Sequence, residues 1–134
     1  MANIKEIEGI GEVFGARLEA AGIKTEDTLL KEGASKSGRA TIAQTCGIDE
    51  SKILEWVNRA DIARIKGIGS EYADLLECAG VDSVPELANR NAENLTTKMT
   101  ELNATKSLVR SLPTTTTVAA WIEEAKTLDR IVTY

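Results

Sequence analysis

Two short glycine-containing turns are the parts of this sequence best suited to do chemistry. Ile7-Glu8-Gly9-Ile10-Gly11 recurs 58 residues later as Ile65-Lys66-Gly67-Ile68-Gly69. A glycine-apolar-glycine turn that leads into a helix points its backbone N–H groups at the helix N-terminus, where the helix dipole favours an anion such as phosphate. The repeat therefore indicates two candidate anion-binding turns.

Local charge distinguishes the two turns. Residues 4–12 have a net charge of −2, whereas residues 59–70 have a net charge of +2. Because phosphate is attracted to positive charge, the second turn is the better candidate. We expect the backbone amides near Gly69 and Ser70 to take the phosphate and two basic side chains to supply charge. The predicted nucleic-acid-binding residues are Arg64, Lys66, Gly67, Ile68, Gly69 and Ser70. Weaker candidates are Gly9, Gly11, Lys106 and Arg110.

The same glycines also have a purely structural explanation. A chain reversal between two helices in so few residues requires a positive φ or a close approach of the helices, which a side chain would obstruct. Ile10 and Ile68 would then point inward and fasten the turns. This explanation accounts for the glycine-isoleucine-glycine pattern whether or not anything binds, so both interpretations stay open.

The composition gives no support for an enzyme or a metalloprotein. The chain has no histidine, no nucleophile beside a base and no carboxylate pair that stands out from an ordinary helical surface. Its two cysteines, Cys46 and Cys78, lack metal-ligand spacing, and we interpret both as buried small apolar residues. We therefore expect no catalytic residue, no bound metal, no cofactor and no small-molecule substrate.

Helix signals recur along the whole chain. With 2 prolines and 4% aromatic residues, and without sustained strand alternation, the sequence predicts an all-α fold. Polar residues at helix starts and glycines at helix ends give the expected boundaries. The predicted caps and stops are Asn3, Thr25, Asp49, Ser83, Asn91, Gly22 and Gly47. The same patterns predict short helices at residues 4–7 and 62–65 and a loop at residues 35–38.

The repeat predicts two units, residues 1–61 and 62–134. Most positions match at a shift of 58 residues, but Trp56 matches Trp121 at a shift of 65, so the second repeat carries an insertion near residues 103–117. We expect the two units to pack with pseudo-two-fold symmetry into one compact body around four aromatic residues at matched positions. These are Phe14, Trp56, Tyr72 and Trp121.

Overall charge and hydropathy define the expected setting. A net charge of −5 and an isoelectric point near 4.9 argue against a general polyanion binder. The N-terminus lacks the pattern of a signal peptide, and no apolar run approaches the ~18 residues that span a membrane. We expect a cytoplasmic protein without a membrane partner.

The turns resemble the helix-hairpin-helix motif, whose glycine-apolar-glycine turn is followed four positions later by a small residue. Gly15 and Ala73 match that small residue here. The motif often has basic or small residues directly after the second glycine, whereas this chain has Glu12-Val13 and Ser70-Glu71. The resemblance implies contact with the nucleic-acid backbone.

Over nearly its whole length the chain also resembles a family of uncharacterised bacterial proteins. That family is defined as a domain of unknown function built from tandem helix-hairpin-helix units. The matching stretches are residues 53–58, 64–69, 108–113 and 121–126. The resemblance implies the fold and carries no established activity.

Two functions remain for the sequence. The first is weak, sequence-nonspecific binding of nucleic acid, expected to be DNA, through hairpin amides. The alternative is a protein–protein interaction or scaffold module that has lost nucleic-acid binding. Salt dependence separates them, because phosphate binding weakens steeply with added salt and apolar docking does not. The sequence leaves open DNA versus RNA, the oligomeric state and the pathway.

Overall fold

The protein is helical throughout the part that its computed structural model describes, residues 3–7 and 9–134. This confirms the all-α fold class, since the described residues form no β-strand and a single isolated bridge joins Asn3 to Thr25. A 3-10 helix, Ile4–Glu6, comes first. The α-helices that follow are α1 Gly11–Ala20, α2 Glu26–Glu32, α3 Lys36–Cys46, α4 Glu50–Ile62, α5 Ser70–Cys78, α6 Val84–Ala88, α7 Ala92–Lys106 and α8 Thr115–Thr127.

Most helix boundaries lie where the sequence predicts them. The side chains of Asn3, Thr25 and Asn91 each accept a hydrogen bond from a backbone N–H in the first turn of the helix that follows. Gly22 and Gly47 follow α1 and α3 with φ angles of +88° and +66°. These contacts satisfy helix-end groups that would otherwise lack partners.

The predicted loop at residues 35–38 is wrong. Ser35 caps α3, which begins one residue later, at Lys36. The Ser35 hydroxyl accepts a hydrogen bond from the Gly38 amide at 3.1 Å. Small polar residues that favour a loop also favour the first turn of a helix when a hydroxyl caps it, and capping prevails here.

The predicted short helices before the two turns are only partly found. Before the first turn the chain forms the 3-10 helix Ile4–Glu6. The predicted helix at residues 62–65 is wrong, because α4 continues to Ile62 and a turn follows it. That turn is closed by a hydrogen bond from Ile65 N to Ile62 O at 3.2 Å. The apolar stripe of α4 thus extends to Ile62, the first residue of the predicted helix, and the three residues after it form a turn.

Backbone contacts divide the chain into two compact units. Unit 1 comprises Met1–Asp61 together with Arg130–Tyr134, and unit 2 comprises Ile62–Asp129. The last five residues therefore pack with unit 1, although along the chain they lie at the end of the second repeat. The division into sequence repeats at residues 1–61 and 62–134 stays a prediction.

The core of unit 1 is built around Trp56, which is 2% exposed. The ring of Phe14 packs against it, with the ring centroids 5.3 Å apart and the planes inclined at 53°. This tilted arrangement is one that aromatic pairs favour. Fully buried aliphatic side chains complete the core, among them Ile4, Leu18, Leu29, Ile53 and Val57.

A buried arginine ties the C-terminal segment into unit 1. Arg39 is 3% exposed, and its guanidinium donates to three carbonyls: Gly33 O at 2.9 Å, Ala34 O at 3.0 Å and Thr133 O at 2.7 Å. The Thr133 amide donates in return to Ala34 O at 2.8 Å. Arg39 therefore lies between α3, the loop before it and the end of the chain.

Unit 2 has its own aromatic pair. Trp121 is 3% exposed, and the ring of Tyr72 lies 5.3 Å from it at an angle of 55°. The segment between α7 and α8 is ordered by the Asn103 side chain, which donates to Val109 O at 3.1 Å and accepts from Val109 N at 3.0 Å. Thr114 then caps α8, so most of the threonine run is helical.

The two cysteines differ. Cys46 is buried, as expected, and burial raises the pKa of its thiol. The prediction that Cys78 is buried is wrong, because Cys78 ends α5 on an exposed face. Among the described residues no helix is long and apolar enough to cross a bilayer.

Candidate functional site

The first glycine of each turn has the backbone conformation that the pattern predicts. Gly9 and Gly67 have φ angles of +91° and +93°. Each also faces an indole. A β-carbon on Gly9 would lie 3.6 Å from Trp56 Nε1, and one on Gly67 would lie 3.3 Å from Trp121 Nε1. Glycine is therefore required at Gly67 both by its dihedral angle and by the close tryptophan.

The second glycines of the two turns differ. Gly11 has a φ of +67° and is the first residue of α1. Gly69 has φ −96° and ψ −172°, ordinary extended values, and occupies the N-cap position of α5. The expected need for a special backbone is therefore not found at Gly69. A β-carbon at either Gly11 or Gly69 would meet no atom within 4 Å, so crowding requires glycine at neither position.

This difference gives a matched pair of glycine substitutions. Gly67→Val should lower the free energy of unfolding by about 1–3 kcal/mol, because a β-branched residue is strained at positive φ. Gly69→Ser should leave it unchanged or raise it by up to about 1 kcal/mol, because the hydroxyl caps α5 and the unfolded chain loses freedom. Urea denaturation measures both. Equal losses of stability in the two variants would contradict the positive φ of Gly67 and the extended backbone of Gly69.

The start of α5 presents backbone donors that have no acceptor within the helix. The first N–H bond within this helix runs from Ala73 N to Gly69 O at 2.9 Å. The amides of Ser70, Glu71 and Tyr72 precede it, and helix geometry gives them no acceptor within the helix. The structure describes the backbone of Ser70 and not its side chain. These amides are the donors that the sequence predicts for a phosphate.

The isoleucines of the turns fasten them, as predicted. Ile10 is 2% exposed and Ile68 is 5% exposed, so both side chains lie in the core of their own unit. Ile68 is one of the predicted nucleic-acid-binding residues. Its contribution is to hold the turn in place, because its side chain does not reach the surface.

Lys66 and Arg64 both lie at the second turn but have different surroundings. Lys66 is exposed, and the described residues offer no carboxylate within ion-pair distance of its ammonium group. Arg64 is half-buried and donates from Nη2 to Asp129 O at 2.9 Å. Arg64 therefore anchors the segment after α8, and Lys66 is the side chain best placed to meet an anion.

A carboxylate also lies at the second turn. The backbone amide of Lys66 donates to both oxygens of Glu124 on α8, at 3.4 and 3.3 Å. Glu124 is half-buried. The acid places negative charge beside the expected phosphate position and lowers the affinity that Lys66 and the amides provide.

Near the first turn, the positive charge of Lys5 is neutralised by carboxylates of α1. The ammonium group of Lys5 forms ion pairs with Glu19 at 3.1 Å and Glu12 at 3.2 Å. The hydrogen bond to Glu19, followed by that to Glu12, raises the pKa of Lys5. The aliphatic part of Lys5 also covers Gly15, whose β-carbon would lie 2.6 Å from Lys5 Cγ. Glu8, expected to oppose binding here, lies outside the described residues.

Two of the weaker candidates, Lys106 and Arg110, lie in the segment around the end of α7. Lys106 is the last residue of that helix and is exposed, as is Arg110. The Tyr72 hydroxyl donates to Ser111 O at 2.8 Å, which joins the residue after Arg110 to α5. The Tyr72 side chain therefore links α5, which follows the second turn, to the segment that contains Arg110.

Tyr72 also lines a cleft that the sequence does not predict. The cleft has a volume of about 450 Å³ and lies between the second turn and one face of α8. Its lining residues are Lys66, Gly67, Tyr72, Thr116, Thr117, Ala120, Trp121 and Glu124. The spacing of the α8 residues marks one helical face, but nothing in the sequence places that face opposite the turn.

Other chemistry finds no support in the described part of the chain. Among those residues, no group of three or more cysteine, aspartate or glutamate side chains could hold a metal ion. The groups brought together at the second turn are backbone donors, an exposed amine, two threonine hydroxyls and one carboxylate. They can bind a ligand by hydrogen bonds and charge.

Comparison with known proteins gives one match. Residues 8–128 match the family model described as Domain of unknown function (DUF4332). Neither the curated proteins nor the solved structures give a match. The match covers both units of the chain and assigns them no activity.

Proposed function

The chain belongs to the DUF4332 family, a domain of unknown function, and we propose that it binds the phosphate backbone of nucleic acid weakly and without sequence preference. The proposed site is the second turn with the start of α5. Backbone contacts of this kind fix position and read no base sequence. DNA is the ligand that the motif resemblance favours.

One observation carries the proposal: the second turn keeps an exposed cation, Lys66, beside helix N-terminal amides, whereas Lys5 near the first turn is paired with two carboxylates. The first amides of α5 have no acceptor within the helix, and no atom crowds the β-carbon position of Gly69, so a phosphate oxygen can approach this helix end. Gly11 is equally uncrowded, so it is charge that distinguishes the two turns. Lys66 stands three residues before Gly69. At the first turn the corresponding charge is negative and Lys5 is already paired.

The affinity should be low. The chain carries a net charge of −5, and Glu124 and Glu71 lie close to the proposed phosphate position. Nonspecific binding by more basic proteins has Kd values around 10⁻⁴–10⁻⁶ M at physiological salt, so this protein should fall at the weak end of that range.

We further propose that both units are helix-hairpin-helix modules derived from one duplicated sequence. Matched turns support this, because Gly9 and Gly67 share a positive φ and each faces a tryptophan of its own unit. The packing of the modules with pseudo-two-fold symmetry is part of the same proposal.

Charge reversal at the second turn tests the proposed function. Lys66→Glu should weaken binding at least about tenfold, because it replaces a phosphate contact by a repulsion. Lys36→Glu, at the exposed start of α3 in unit 1, makes the same change in net charge and should have little effect. Fluorescence anisotropy with labelled DNA at low and moderate salt measures both. Lys66 is preferable to Arg64 because Arg64 has a structural contact.

A gain of affinity gives the second arm of the same experiment. Glu124→Gln should strengthen binding several-fold, since it removes a negative charge next to the Lys66 amide. Glu123→Gln is the control, because Glu123 is on the same helix and pairs with Lys126 instead. If the wild-type protein shows no salt-sensitive binding even at low ionic strength, the nucleic-acid proposal fails. The interaction-module alternative then takes its place, and a pull-down becomes the informative measurement.

A further inference from the structure

The cleft beside the second turn adds a second binding element to unit 2. We infer that it holds an unpaired nucleobase, so that the preferred ligand is single-stranded nucleic acid and not a duplex. This inference rests on the proposed function, because Lys66 at the rim of the cleft would hold the phosphate attached to that nucleotide.

The size of the cleft fits a base. Its volume of about 450 Å³ falls within the range of small-molecule sites and exceeds the volume of any single nucleobase. The floor is formed by the small residues Gly67 and Ala120, which leave room for a flat ring, and the Trp121 indole is buried beside Gly67. A flat heteroaromatic ring can pack against such a floor.

The walls of the cleft match the polar edge of a base. Glu124 contributes a side-chain oxygen that accepts from ring N–H or amino groups, and a glutamine at this position would keep such an acceptor while losing the charge that opposes phosphate. The hydroxyls of Thr116 and Thr117 can donate to ring carbonyls, although Thr117 shares its hydroxyl with Thr114 at 3.0 Å. Base edges carry hydrogen-bond donors and acceptors side by side, so the glutamate acceptor and the threonine donors can contact the same base.

Tyr72 supplies the aromatic wall. Its hydroxyl is held by Ser111 O at 2.8 Å and its ring is braced by Trp121, so the ring position is fixed before a ligand arrives. The ring is half-buried and lines the cleft. A preformed aromatic surface costs little conformational entropy when it meets a base.

Base pairing would prevent this contact. In a duplex a base is stacked and paired, and its extraction costs a few kilocalories per mole. A single strand presents its bases without that cost. The cleft and the exposed Lys66 amine therefore select a flexible strand whose phosphate and base can bind together.

The first test removes bases and keeps phosphates. The probes are a short oligothymidylate and an oligomer of the same length made of abasic sites, each measured by fluorescence anisotropy with the whole chain. We expect the abasic oligomer to bind about tenfold more weakly, which is the effect of losing one base contact. Equal affinities would overturn the base-binding inference and leave the phosphate proposal standing.

The second test fills the cleft. Ala120 is an exposed residue of its lining, whereas the neighbouring Ala119 is on α8 but outside the cleft. Ala120→Phe should reduce oligothymidylate affinity about tenfold and leave binding of the abasic oligomer unchanged, while Ala119→Phe should change neither. Circular dichroism confirms that both variants fold.

The outcomes separate the two proposals. If Ala120→Phe and Ala119→Phe bind oligothymidylate equally while Lys66→Glu weakens binding at least about tenfold, the base site is wrong and the phosphate site is right. If neither oligomer binds the wild-type protein at low ionic strength, the proposed function fails and the base site fails with it.

Discussion

Replacing Trp121 by alanine should lower the free energy of unfolding by about 3–5 kcal/mol. Trp121 is 3% exposed, packs against Tyr72 and lies under Gly67. The substitution removes a large apolar surface and leaves a cavity that α8 and the second turn cannot both close. A loss of this size is a large share of the usual stability of a domain.

The measurement is urea denaturation followed by circular dichroism, with Trp121→Phe as the control. Phenylalanine keeps most of the ring packing and should cost less than half as much as alanine. Trp56→Ala should give a similar loss in unit 1, because Trp56 is 2% exposed and holds Phe14 and Gly9 in the corresponding way. A Trp121→Ala loss below about 1 kcal/mol would show that the indole is not part of a closed core.

The parts of the fold that sequence predicts well depend on local interactions. Caps such as Thr25 and Asn91, and stops such as Gly22, act within one turn of a helix, so residue type alone identifies them. The all-α class follows from helix propensity summed over the chain. Helical periodicity and matched positions in the repeat place the four aromatic residues in the core, whereas the pairing of Phe14 with Trp56 is visible only in the fold.

The errors arise where two local tendencies compete. Ser35 with Gly38 favours a loop and a capped helix start, and the hydroxyl contact decides for the helix. At Ile62 the apolar stripe of α4 continues past the expected boundary. Cys78 was expected in the core because cysteine is usually buried, but its position on α5 faces outward.

The candidate site was predictable only in part. The turn and its adjacent cations are neighbours in sequence, so their spacing reveals them. Glu124 lies 58 residues from Lys66 along the chain and meets it through the packing of α8, which no local pattern encodes. The contact of Arg64 with Asp129 O is likewise a tertiary feature, and it changes which of the two cations can be tested cleanly.

The sequence also gives no sign that the C-terminal segment packs against the rest of unit 1. This contact involves Arg39, the most buried charged side chain of α3. In the sequence Arg39 looks like an ordinary helix residue. In the fold its guanidinium donates to the carbonyl of Gly33, just before α3, and to the carbonyl of Thr133 in the C-terminal segment. Its planar guanidinium has several donors in fixed directions, which suits it to bind more than one carbonyl at once.

Arg39→Ala should therefore destabilise the protein by about 2–4 kcal/mol. Gly33 O, at a buried contact, and Thr133 O, at a partly buried one, lose the charged donor that the structure gives them. A buried carbonyl left without a partner costs about 1–3 kcal/mol, and a partly buried one costs less because water can reach it. Ala34 O keeps the Thr133 amide, so the loss is less than three full contacts. Urea denaturation measures the change, and Lys36→Ala, on the exposed side of the same helix, should alter stability by less than about 0.5 kcal/mol.

The conservative variant separates charge from geometry. Arg39→Lys keeps the positive charge, but an ammonium group at the end of a flexible stem cannot reach Gly33 O and Thr133 O together, so at least half of the loss should remain. The C-terminal segment should also loosen. Hydrogen exchange at the Thr133 amide, which donates to Ala34 O, should accelerate in both variants before the rest of unit 1 unfolds. If Arg39→Ala behaves like Lys36→Ala in both measurements, Arg39 does not hold the segment. Burial of Val132, with the hydrogen bonds from the Thr133 amide to Ala34 O and from the Tyr134 hydroxyl to Asn58 Oδ1, then keeps it on unit 1.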